Sequence, residues 1–287
     1  MRNLPQSAKT SNDMTIKPMR GLVAFLLAIY SVLTVYPLFW LLISAFKTDQ
    51  DFFLRPFGIP RDWLASNLER AWSVGHMGQG FLNSIIVTAA SLVLTLLVGS
   101  IAAHIVARYR FKLKPLVMGL FMIGMLIPIH STLVPLFIMM KQMNILNSYA
   151  ALLFPYTAFA LPTAIFIVSA FMSSVPRDLE EAAMMDGNGL WGVFWRVMLP
   201  ISRPALATTG ILSFLQFWND YAFALIFISN NALKTLPLSL SIFTTGYSTN
   251  YGLTMAAIAI AAVPTIVIYL LLQEQVMKGM TAGAVKG

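Results

Sequence analysis

From Gly21 to Phe46 the chain runs for 26 residues without one charged side chain. Five further apolar runs follow, at Phe81–Ala107, Pro115–Met140, Tyr149–Met172, Pro204–Ile228 and Thr254–Leu272. Each reaches about 20 residues, enough at 1.5 Å per residue to cross a hydrocarbon core of roughly 30 Å. No water is available there to satisfy backbone amides, so each run must pair them within itself, which a helix does. The expected fold is therefore an all-α membrane protein with six transmembrane helices. The third run is expected to bend at Pro128 and Pro135, and the fourth carries Pro155 and Pro162 inside it. The first run exceeds the apolar core of a secretory signal, about 7–15 residues, and no small-residue cleavage site follows it, so it reads as a membrane helix.

Composition agrees: 58% of residues are hydrophobic and only 10% are charged. A net charge of +8 could suggest nucleic acid, but the basic residues are spread between apolar runs, where topology accounts for them. The terminal segments 1–20 and 273–287, with loops 108–114 and 173–203, hold 13 of the 19 Lys and Arg; loops 47–80, 141–148 and 229–253 hold 6. Positive charge favours the cytoplasmic side, so both termini are expected there. This divides the chain into a cytoplasmic tail (1–20), a six-helix domain (21–272) and a second cytoplasmic tail (273–287). Loop 47–80 reads as a mixed-charge connection with a flexible, glycine-bearing approach to the second helix. With no cysteine, disulfides and thiolate metal ligands are excluded. His104 and His130 sit on different helices without carboxylates at ligand spacing, which favours packing over a metal site or proton relay.

Between the fourth and fifth runs lies a polar, punctuated segment. Ser173 or Ser174 can cap a short helix, with Pro176 in its first turn and Asp178, Glu180 and Glu181 at its positive end. Gly187 suits the left-handed residue that closes such a helix. Leu190, Trp191, Phe194, Val197 and Met198 then recur at helical spacing until Pro200 and Pro204. The positive-inside count places this segment in the cytoplasm.

Glu181-Ala182-Ala183, three residues, Gly187, nine residues, Val197, one residue, Leu199-Pro200 resembles the EAA motif of ATP-binding-cassette importer permeases, with Val197 standing for isoleucine. Asp186 and Pro204 look like the carbohydrate-uptake branch, in particular its maltose-type second permease subunit. The resemblance implies a type I importer permease in a bacterial cytoplasmic membrane. Its implied partners are a second homologous permease, two ATPase subunits, an extracytoplasmic solute-binding protein and a sugar or sugar phosphate. ATP and Mg2+ would belong to the ATPases; this chain contains no P-loop pattern, and no cofactor or catalytic residue is expected in it. Residues Glu180, Glu181, Ala182, Ala183, Asp186, Gly187, Leu199 and Pro200 would then form the coupling element that an ATPase grips. The ending Gly279-Met280-Thr281-Ala282-Gly283-Ala284-Val285-Lys286-Gly287 resembles the tail of that subunit type. Its Gly279, Thr281, Gly283 and Lys286 would enter the ATPase interface.

Two further sets are candidates. Thr209, Ser213, Gln216 and Asp220 recur at spacings of 4, 3 and 4, predicting one polar face of the fifth helix with Asn219 beside it. A carboxylate at that depth costs about 2.5–3.5 kcal/mol to insert, so it must face protein, water or substrate. The face can line a translocation path or join this chain to another permease. In loop 229–253, Tyr247, Asn250 and Tyr251 are candidates for docking a binding protein, with a solvated loop the alternative. Two other functional classes compete: a membrane enzyme, for which Asp220 has no identifiable nucleophile or base, and a secondary transporter or channel that needs no ATPase.

Overall fold

The computed structural model describes the backbone of residues 11–243 and 250–284 and the side chains of residues 20–243 and 250–271. Regular structure among the described residues is helical throughout. In chain order the helices are α1 (Ser11–Ser44), α2 (Asp49–Leu54), α3 (Ser66–Val74), α4 (Met77–Arg108), α5 (Lys114–Leu126), α6 (Ile129–Gln142) and α7 (Ala150–Ser174). There follow α8 (Asp178–Met185), α9 (Leu190–Val193), a π-helical turn (Phe194–Met198), α10 (Leu199–Ile201) and α11 (Arg203–Trp218). The chain ends with α12 (Ala222–Phe227), α13 (Leu236–Ser239) and α14 (Tyr251–Ala284).

Among the described residues, four helices contain stretches long and apolar enough to cross a membrane: Arg20–Ser44, Met77–Arg108, Ala150–Ser174 and Tyr251–Leu271. The other two expected spans are broken. The third is two helices meeting at 103° rather than one bent helix. Pro128 has no N–H to continue a ladder, and Ile127 before it is extended (φ −71°, ψ 119°), so α5 stops and α6 restarts. Pro135 stays inside α6. The fifth expected span ends at Trp218, ten residues early, and resumes only as the short α12.

α4 and α7 pack along their length, and small residues let them approach: a Cβ on Gly99 would lie 3.0 Å from that of Ala164. α11 closes against both. Three buried clusters stack along this bundle. Ala103, Met172, Ala183, Phe194 and Met198 fill the end near α8. Tyr156, Phe217, Phe223 and Phe227 fill the middle. Ala71, Met77, Trp218, Leu236 and Ala256 fill the opposite end.

That opposite end is a structured lobe, and the glycine-bearing approach to the second helix, expected to be flexible, is packed within it. Asn67 is buried and its amide donates to the carbonyls of Ala45 and Lys47, each at 3.0 Å. Lys47, 1% exposed, donates to the carbonyls of Arg55 and Pro56 at 3.0 and 2.8 Å. Gly80 lies under α13: a Cβ there would meet the Ser239 hydroxyl at 2.6 Å and the Leu236 Cα at 3.2 Å. Asp51 accepts from the Arg61 amide at 2.7 Å and from Arg55 at 2.9 Å. These bonds, the amide first, hold its carboxyl below the ordinary range. A depressed carboxylate contributes stability above its unfolded value near 4 and loses it as pH falls through the native value. Acidification from pH 5 to 3 should therefore lower the unfolding midpoint more in the wild type than in Asp51→Asn.

Candidate functional site

The polar segment folds into two short helical arms joined by a glycine turn. Ser173 and Ser174 do not cap α8: they remain in α7, where their hydroxyls donate back to the carbonyls of Ser169 and Phe171 at 2.7 Å. Arg177 takes the N-cap instead. α8 closes as expected. Gly187 is left-handed (φ +85°), its N–H donates to the Met184 carbonyl, and the Asn188 N–H reaches back to Ala183, both at 3.0 Å. This is a Schellman closure, which satisfies carbonyls that a helix end leaves free. Asn188 also receives a 3.1 Å bond from Arg196, tying the turn to the second arm.

The second arm ends in the π-turn, whose Leu199 N–H donates to the Phe194 carbonyl. Pro200 cannot donate, so the ladder is interrupted there, and the arm meets α11 at 73°. Phe194 and Met198 turn inward, 2% and 0% exposed, and the Phe194 ring lies 5.3 Å from His104. His104, which the sequence favours as a packing residue, also meets Tyr109 edge-on at 5.8 Å. Among the described residues no three His, Asp or Glu side chains gather into a possible metal site.

Helical phase divides the expected coupling residues. Ala183 is buried and Glu180 turns toward Arg108, so within this chain these two face its own bundle. Glu181, Ala182, Asp186 and Gly187 are exposed, and with them Met185, Leu190 and Trp191, the last three at 89%, 61% and 65%. Leu199 and Pro200 are half-buried at the bend. A cleft of about 140 Å³ runs beside α8, lined by Arg108, Tyr109, Arg177, Glu180, Glu181 and Met184 among others. An acidic side chain is thus flanked by large exposed apolar groups, on a loop that buried Phe194 and Met198 anchor from beneath.

The sequence profile of the family described as binding-protein-dependent transport system inner membrane component matches residues 95–281. The chain belongs to this family. Similar proteins include the "Probable ABC transporter permease protein YurM" of Bacillus subtilis, 37% identical over 261 residues, covering 91% of this chain and 87% of that one. The diacetylchitobiose uptake system permease protein NgcG of Streptomyces coelicolor is 33% identical, with 90% and 86% covered. The sulfoquinovosyl glycerol transport system permease protein SmoH of Agrobacterium fabrum is 33% identical over the whole of both chains. In fold, the permease resembles a chain of a bacterial ABC transporter that imports alginate, with a TM-score of 0.77, 20% identity and 94% and 99% of the two chains covered. It is a multi-pass membrane protein.

The permease's polar stripe is divided too. Asp220 lies beyond the end of α11, so it cannot continue the face of Thr209, Ser213 and Gln216. Its carboxylate accepts from the Phe223 and Ala224 amides at 3.4 and 3.2 Å, starting α12, and from the Tyr156 hydroxyl at 2.8 Å. Tyr156 stacks on Phe217 with ring centroids 5.3 Å apart. Asp220 thus pins the break to α7. Thr209 and Ser213 are buried, whereas Gln216 and Asn219 are exposed.

At the far end, Asn250 is exposed but its side chain accepts from the Leu253 amide at 2.7 Å, capping α14. Tyr251 stacks on Phe52 at 5.1 Å. Both serve the lobe directly. Tyr247, Lys286 and the surroundings of Gly279, Thr281 and Gly283 lie outside the described residues. Two residues are not marked by the sequence pattern: Arg108 reads only as a topology charge, and Asn83 lies inside an apolar run. Asn83 is fully buried and makes four bonds: to the carbonyls of Ala232 and Lys234, and from Tyr149 and Gln79. An asparagine at the lobe end of a long apolar helix is the signal that points to it.

Proposed function

We propose that this permease is a transmembrane subunit of an ATP-driven importer of sugars, oligosaccharides or sugar phosphates. It works beside a second permease, two ATPase subunits that use ATP and Mg2+, and a solute-binding protein, and catalyses no reaction itself. Counting each bent helix pair as one span gives six, and the distribution of Lys and Arg favours both termini in the cytoplasm of a bacterial inner membrane. Sugar cargo is favoured by relatives named for diacetylchitobiose and sulfoquinovosyl glycerol uptake.

The observation that carries the reading is the exposed face of Glu181, Met185, Leu190 and Trp191 on a loop clamped by Phe194 and Met198. An ATPase pair closing on that face would move α8 and α9 as one body. The buried pair beneath them and the bend at Pro200 would pass the motion to α11, shifting the bundle between outward and inward access. Gln216 and Asn219, exposed near the break in the fifth segment, are the residues of the polar stripe best placed for a path or a permease interface.

The test is transport by the complex reconstituted in proteoliposomes with its binding protein, against a panel of labelled di- and trisaccharides. Uptake should require enclosed MgATP and be unaffected by collapsing ion gradients. Uptake driven by a gradient without nucleotide would overturn the reading in favour of a secondary carrier.

A further inference from the structure

We infer that Arg108 is a positioning residue of the coupling loop, the strut through which movement of α8 reaches α4; the inference rests on the coupling reading above. Arg108 is the last residue of α4, yet its side chain is only 7% exposed because it turns beneath the loop. One guanidinium gathers three points of that loop. Its Nε pairs with Glu180 of α8. Its Nη2 donates to the Val175 carbonyl at 3.0 Å, where the chain leaves α7, and lies 3.7 Å from the sulfur of Met198 in the π-turn. The Arg108 carbonyl in turn accepts from Arg177 at 3.5 Å.

The placement is electrostatically consistent. A cation sits at the negative end of α4 and an acid in the first turn of α8, so each charge is favoured by its own helix as well as by its partner. Glu180 is the residue just before the Glu-Ala-Ala triplet, and helical phase gives the two glutamates opposite duties. Glu181 is left for the outer face while Glu180 holds the loop from within. A bidentate, planar guanidinium can serve a carboxylate and a carbonyl together, which an ammonium cannot do with the same rigidity. Removing either partner would strand a shielded charge rather than merely delete a contact.

The test uses the assembled complex in proteoliposomes and the absence of native cysteine in this chain. Ile105→Cys, on an exposed position of α4 one turn from Arg108, reports motion through its rate of reaction with a maleimide. In otherwise wild-type protein, MgATP with vanadate should change that rate about fivefold. With R108Q or E180Q the change should shrink below twofold while all subunits still co-purify; R108K, which keeps the ion pair, should retain at least half of it. The double variant R108Q/E180Q should be no worse than R108Q alone. A full nucleotide response in R108Q would overturn the strut. So would additive losses in the double variant, or a loss that follows only the amount of ATPase retained, since either marks a merely structural residue. Lack of response in the wild-type background would instead overturn the coupling reading itself.

Discussion

Gly252→Ala should unfold the lobe end of the permease at markedly lower temperature. A Cβ at this position would lie 2.2 Å from the Lys47 carbonyl oxygen and 3.0 Å from the Asn67 side-chain nitrogen. The oxygen cannot step aside, because Asn67 grips it while the Lys47 side chain anchors the same residue to the end of α2. The Gly252 amide also donates to Asp49 at 3.2 Å, so retreat of α14 would break a second tie. Overpacking a core costs about 1–3 kcal/mol, and an obstacle made of backbone puts this case at the upper end or beyond. At about 3 kcal/mol the unfolding midpoint of the detergent-solubilised protein should fall by roughly 6–12 °C. Gly119→Ala is the control: nothing lies within 4 Å of its Cβ position, and alanine favours helix over glycine. Equal midpoints for the two variants would refute the argument.

The pattern behind that clash lay beyond a linear reading. Hydrophobic run length predicts where α1, α4, α7 and α14 cross, because burial in lipid depends on local composition alone. It cannot say that loop 47–80 is folded, since what folds it are bonds such as Asn67 to Ala45 and Gly252 to Asp49, spanning 22 and 203 positions. The break after Trp218 is equally non-local. No proline or glycine marks it; Asp220 abandons the helix to cap α12 and to meet Tyr156, 64 residues away. At Pro128 the missing N–H was legible, but the 103° angle depends on what the two halves pack against.

The coupling loop was legible in more detail because its determinants are short-range. Gly187, the acidic first turn and the Pro200 stop all follow from spacing. The different roles of Glu180 and Glu181 were also within reach: Glu180 and Ala183 are three apart and share a face, as do Glu181, Ala182 and Met185 on the other side. Arg108 was not, for its partners arrive from 67 to 90 positions downstream.

Those short-range determinants give the largest functional effect expected. Gly187→Val should reduce ATP-driven uptake more than tenfold while leaving the bundle folded. Nothing lies within 4 Å of a Cβ at Gly187, so the side chain meets open space and no core is disturbed. What fails is the backbone. A left-handed conformation costs an ordinary L-residue about 1–2 kcal/mol, and a β-branched one resists it further. The valine variant would escape by abandoning φ +85°, which breaks the bonds from residues 187 and 188 to Met184 and Ala183 and swings α9 relative to α8. Leu190 and Trp191 would then no longer share a face with Glu181, and a partner fitted to that face would lose its grip. Gly187→Asn separates conformation from side-chain volume, because asparagine tolerates the left-handed region. It should keep most of the uptake, measured alongside ATP hydrolysis in the same proteoliposomes. If valine and asparagine impaired uptake equally, the loop's geometry would not be what an ATPase reads.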